Sequence, residues 1–98
     1  MNFIVAQKQG PHGIILIVTD KDLIGHLFSE GNKQLDLTKE FYHGEEKNKE
    51  QVKSILGQAQ HLHVTGKHAV ALGIEQNLID PKRILWVQQV PHAEVVME

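Results

Sequence analysis

Cysteine is absent from the chain, and with it disulfides, thiolate metal sites, cysteine-ligated iron–sulfur clusters and a cysteine nucleophile. An excess of charge of either sign is also missing. Ten Lys and Arg stand against twelve Asp and Glu, a formal charge of -2, so no global basic field draws in nucleic acid or an anionic membrane. Nor is there a long hydrophobic run: the longest, Ile14 to Val18, falls far short of the ~20 residues of a membrane-spanning helix. The N-terminus lacks the basic, apolar and small-residue order of a signal peptide, which makes the cytoplasm the expected location. Repeats, low-complexity tracts, linkers, a serine nucleophile elbow, a nucleotide fingerprint and a zinc-protease helix are absent as well.

What is present has the balance of one ordinary globular domain spanning residues 1–98, with 41% hydrophobic and 22% charged residues. Periodicity divides it into short elements. Phe3–Ala6 and Ile14–Val18 read as a hairpin joined by "QKQGPHG", the second run being apolar on both faces as in a central strand. "TDKDLIGHLF" reads as an amphipathic helix through Leu23, Ile24, Leu27 and Phe28, capped by Thr19 or Asp20 and ended by Gly31. "KQLDLT" alternates as a strand, and "KEFYHGEEKNKE" reads as a solvated loop. Val52, Ile55, Leu56 and Ala59 share a helical face, with Asn48 and Gln51 placed as a capping box. A further helix runs through Ala69, Val70, Ile74 and Leu78 to Asp80-Pro81, and "RILWVQQV" and "HAEVVM" read as strands separated by Pro91. The order ββαβααββ predicts an α+β, two-layer sandwich: a small, mostly antiparallel sheet with about three helices. Ile15, Ile17, Leu27, Ile55, Val70, Ile74 and Trp86 are the expected core.

Histidines concentrate in "HLHVTGKH", His61 to His68. If His61 to Thr65 is a strand, His61 and His63 share one face and His68 begins the next helix; if the preceding helix runs on, the first two rings diverge by about 200°. The strand is favoured, because Thr65-Gly66 makes a natural helix start and Val64 is a poor mid-helix residue. Even so, three imidazoles with no carboxylate nearby in sequence lead to the expectation that His61, His63 and His68 hold no metal.

"EG" at Glu30-Gly31, "EFYHG" at Glu40 to Gly44, "VTGKHAV" at Val64 to Val70 and "VPHAE" at Val90 to Glu94, in that order and spacing, resemble the archaeal proteins grouped as domain of unknown function number 424. The resemblance spans nearly the whole chain. It implies a small cytoplasmic archaeal protein with no established activity. Phe41, Tyr42, Gly44, Gly66, Ala69, Val70, Pro91, His92 and Ala93 match its pattern. His61, His63 and His68 lie outside it, Glu94 stands where an amide is more usual, and His43 where a second glycine is. Attention therefore moves to "FYxG" and "VPHA".

Each of these has a packing reading beside a functional one. Gly66, Ala69 and Gly73 suit close approach of a helix to a sheet, since a phosphate loop would need more glycines and a Lys-Ser/Thr pair. Phe41 and Tyr42 either plug the core edge or form an aromatic platform, and His92, behind a proline, either bonds a carbonyl or presents a nitrogen. A single surface site is expected of Phe41, Tyr42, Gly44, His92 and Glu94, with Tyr42 and His92 as main contacts, Gly44 aiming the tyrosine, and no cofactor. The first functional expectation is a non-catalytic binding module, linked to translation or RNA metabolism, taking a protein or RNA partner with help from the "KNKE" lysines. The alternatives are a small enzyme using His92 with a nearby carboxylate as an acid/base pair, and a homo-oligomer joined through a sheet edge.

Overall fold

The computed structural model describes residues 2–97. The N-terminal runs form the expected hairpin, β1 (Asn2–Gly10) and β2 (Gly13–Asp20), paired antiparallel from Gly10 opposite Gly13 to Phe3 opposite Asp20. A 3₁₀ turn (Lys21–Leu23) leads to a second hairpin, β3 (Leu27–Glu30) and β4 (Lys33–Asp36), and another 3₁₀ turn (Glu40–Tyr42) leads to β5 (Glu45–Asn48). Then follow α1 (Lys49–Leu56), β6 (His61–Thr65), α2 (Lys67–Glu75), β7 (Leu85–Val87) and β8 (Val90–Val96).

Six strands make one sheet in the order β5-β1-β2-β6-β8-β7. Its pairs are antiparallel except β2 with β6, which run parallel, so the sheet is mixed. Alternation sends Leu16, Val18, Leu62 and Val64 to one face, where they bury against Val52 and Leu56 of α1 and Ala69 and Val70 of α2. Each such aliphatic contributes roughly 1.5–3 kcal/mol of burial. The opposite face carries Ile17, Thr19, His61, His63, His92 and Glu94 by the same alternation. One end of that face is covered by Leu23, Phe28 and Leu35 packing on Val87 and Val90. The α+β class therefore holds, with two helices rather than three and a partial third layer in place of a simple two-layer sandwich.

The missing helix is the "TDKDLIGHLF" segment. Gly25 takes φ +90, which breaks any helix there, and Gly31 at φ +61 opens the two-residue turn of the β3–β4 hairpin instead of ending a helix. Leu27 consequently points to solvent, 53% exposed, and so does Trp86 on the edge strand β7, at 49%. Ile17 and Val70 are buried as expected; Ile15, Ile55 and Ile74 are only partly so. The "EEKN" part of the expected loop is the edge strand β5, whose charged side chains blunt an otherwise open row of backbone groups. The capping box forms as read, with Gln51 N donating to Asn48 Oδ1 and Asn48 N to Gln51 Oε1, each at 2.9 Å. Helix α2 ends earlier than Asp80-Pro81, because Asn77 adopts φ 61 and the Leu78 amide donates back to the Gly73 carbonyl, a Schellman closure. Pro91 lies within β8 rather than between strands. Its carbonyl accepts from Gly66 N at 2.8 Å, beyond the last β6–β8 pair at Thr65 and His92, so its missing N–H interrupts no ladder. Among the described residues no helix is long and apolar enough to cross a membrane.

Candidate functional site

His61 and His63 do fall on one face of a strand, as the alternation predicts. The β6–β8 register sets Glu94 directly opposite His63, one step diagonal from His61. The His61 Nε2–H donates to Glu94 Oε1 at 2.8 Å, while Glu94 Oε2 lies 3.7 Å from His63 Nδ1. The two imidazole centroids are 4.5 Å apart. The carboxylate that neighbouring sequence did not offer thus arrives from the last strand of the chain. One ligand atom from each of His61, His63 and Glu94 lies within 4.8 Å of the others.

His68 takes no part. It stands on the first turn of α2, on the helix side of the sheet, where it lines a shallow hollow with Phe3, Lys49 and Glu75.

The 3₁₀ turn Glu40–Tyr42 packs over β1 and β2 and lays Phe41 beside His63, with Tyr42 against Phe41. The Phe41 ring meets His63 edge-on at 5.3 Å and Tyr42 edge-on at 5.1 Å, with Lys8 Nζ 5.7 Å from its centroid. His92 follows along the same face, its ring 6.1 Å from that of His63. The "EFYHG" and "VPHAE" segments are therefore brought together, with His63 between them. His92 belongs to a strand, not a turn, and its Nδ1 shares a 2.8 Å hydrogen bond with Thr65 Oγ1. The carboxylate in the cluster bonds His61 instead.

Electrostatics follow from this half-buried setting. Burial holds the His63 and His92 imidazoles below the ordinary histidine value, against a smaller opposing pull from Glu94, and so favours neutral rings near neutral pH. Burial likewise raises the Tyr42 phenol, helped by the negative charges of Asp36 and Glu94. The side chains of His61, His63 and Glu94 are 29%, 13% and 50% exposed, so the cluster is rooted in the fold yet open to solvent.

Gly44 has a different part from the one expected. A Cβ there would lie 2.1 Å from the Val5 carbonyl oxygen, so glycine lets the chain close on β1 as it enters β5. The lysines of "KNKE" are also elsewhere engaged: Lys47 with Glu45 at 3.6 Å and Lys49 with Glu75 at 3.8 Å.

Gly66 settles the question of a phosphate loop. It adopts φ +106 and a Cβ would fall 2.4 Å from Asp20 Oδ2. Asp20, at the end of β2, accepts from Ala69 N at 2.8 Å and from His68 N at 3.1 Å. The chain's own carboxylate thereby occupies the anion position at the start of α2. Asp20, expected to cap a neighbouring helix, caps α2 instead, and no local signal marks a cap supplied across 48 residues of sequence.

Comparison with known proteins agrees with this architecture. A crystal structure of an uncharacterized conserved protein from Methanopyrus kandleri superposes with a TM-score of 0.79 over 100% of this chain and 95% of that one, at 15% sequence identity, a likeness of fold. No curated protein matches. The family model described as "Protein of unknown function (DUF424)" matches residues 8–97, nearly the whole chain, and the protein belongs to that family.

Proposed function

We propose that the chain is a non-catalytic binding module whose recognition surface is the uncovered part of the sheet face, with Phe41, Tyr42, His63, His92 and Glu94 as its contacts. The observation that carries this reading is the edge-on packing of Phe41 against His63, 5.3 Å between centroids, which joins the aromatic turn to the histidine strand as one surface. Aromatic rings, imidazoles favoured in the neutral form and one carboxylate make a patch that stacks and hydrogen-bonds but neutralises few phosphates. With the chain at -2 and no global basic field, a protein partner is favoured over RNA for a role in translation or RNA metabolism. His92 bonded to Thr65 rather than to a carboxylate speaks against the acid/base alternative.

Affinity capture from cell extract, read by mass spectrometry and RNA sequencing, tests the reading. A partner should be retained by the wild type and depleted at least ~10-fold by Tyr42→Ala and by His92→Ala; because Tyr42 packs on Phe41 and His92 bonds the buried Thr65 hydroxyl, each also lowers stability by about 1–3 kcal/mol, so capture is compared at a temperature where both variants are folded. Equal capture by both variants would end it.

A second reading is self-association through β7. Leu85 and Trp86 are 41% and 49% exposed on that edge strand. Sedimentation should then show a concentration-dependent mass abolished by Trp86→Lys.

A further inference from the structure

We infer that His61, His63 and Glu94 form a binding site for one borderline divalent transition-metal ion, Zn²⁺ being the natural occupant. The inference deepens the reading above by naming what the same face holds. Its basis is geometric. Three potential ligand atoms converge from two adjacent central strands, each projecting the right way by register rather than by a flexible loop. Donors at about 2.0–2.2 Å from a tetrahedral zinc sit roughly 3.3 Å from one another. Glu94 Oε1 already lies 2.8 Å from His61 Nε2 and Oε2 lies 3.7 Å from His63 Nδ1, on either side of that value. With β6 and β8 held in register, the 4.8 Å spread of the trio is left to be closed by rotation of the His63 and Glu94 side chains.

Chemistry selects the ion class. Two imidazoles with one carboxylate form a borderline donor set, suited to Zn²⁺, Co²⁺ or Ni²⁺. Mg²⁺ and Ca²⁺ demand more oxygen donors, and Cu(I) prefers thiolates or thioethers. Three protein donors complete no zinc shell, so at least one coordination position is left for water or for a group on a bound partner. The half exposure of Glu94 gives the ion a route in from solvent. His68 and His43 are outside the trio and serve as internal controls, whereas His12 lines a hollow together with His61 and does not.

Zinc titration of the purified, tag-free protein tests this without any partner, so failure here and failure of partner capture are separate results. The expected outcome is one equivalent of Zn²⁺ per chain with Kd about 1 μM or tighter, and a rise in Tm with added zinc. Co²⁺ should give visible bands of four- or five-coordinate intensity. His61→Ala and Glu94→Gln, at the more exposed positions, should each weaken zinc at least ~100-fold, beyond the 10–100-fold typical of a group that only supports a ligand. His63→Ala should match them, while His68→Ala and His43→Ala bind as the wild type does. Substoichiometric zinc, octahedral-type cobalt spectra, or stoichiometric binding that survives the His61→Ala and Glu94→Gln pair overturns the site.

Discussion

At the scale of single residues, two buried polar groups beside each other in β2 have opposite fates. Asp20 receives two backbone amides from the start of α2, so Asp20→Ala strands those donors and should destabilise by about 1–3 kcal/mol, measured as a lower denaturation midpoint. Burial nevertheless holds the Asp20 carboxyl above its ordinary range, the two amides and His68 opposing and Asp22 adding a little. A carboxyl raised in the fold contributes stability that is present below its unfolded pKa and is lost as pH rises through the folded one. The stability of wild type relative to Asp20→Asn should therefore fall on raising the pH from the ordinary carboxylate range upward, and a difference that grows with pH would contradict this. Thr19, by contrast, is fully buried and its Oγ1 has no partner among the described residues. Thr19→Val keeps the shape and removes the orphan, so it should raise stability by about 1 kcal/mol in the same assay. Sequence alone shows neither fate, since both depend on what strand order places beside β2.

Elements were legible where their signals are local. The Asn48–Gln51 capping box needs four consecutive residues, and it formed as read. The alternation of His61 and His63 needs five, and it too is observed. The segment from Thr19 to Gly31 misled because its apolar spacing satisfies a helix, while the decisive residues are Gly25 and the Gly31-Asn32 pair, which is itself a hairpin signal leading into the strand expected at "KQLDLT". Leu23 and Phe28 then pack with Leu35 across the local hairpin and with Val87 and Val90, which lie far along the chain beyond any window of sequence. The β7–β8 turn offers a prediction on this scale. Gln88 and Gln89 both take positive φ, 48° and 67°, in a two-residue hairpin connection that ordinarily uses Asn-Gly. Replacing them by Gln88→Asn with Gln89→Gly should stabilise the protein by about 1–2 kcal/mol, because side chains other than Asn and Gly are disfavoured there. An unchanged midpoint in chemical denaturation would show that the turn carries no such strain.

On the scale of the whole molecule, the sheet order makes the surface. Phe41 and Tyr42, His61 and His63, and His92 and Glu94 are separated widely in the chain, and the β2-β6-β8 arrangement collects them on one face while the helices take the other. "EFYHG" and "VPHAE" stand out in the sequence as two exceptional segments, and His63, against Phe41 and beside His92, links them in the structure. The histidine strand between them, and the carboxylate it receives, were hidden by their distance in sequence. The face of the molecule that meets its partner is the decisive property. Site-specific photo-crosslinking in cells measures that face directly, with p-benzoyl-phenylalanine placed at Tyr42 on the histidine side or at Ala71, exposed on α2. A partner band from the Tyr42 position, absent or much weaker from Ala71, is the predicted result; a partner that crosslinks from Ala71 and not from Tyr42 would contradict it.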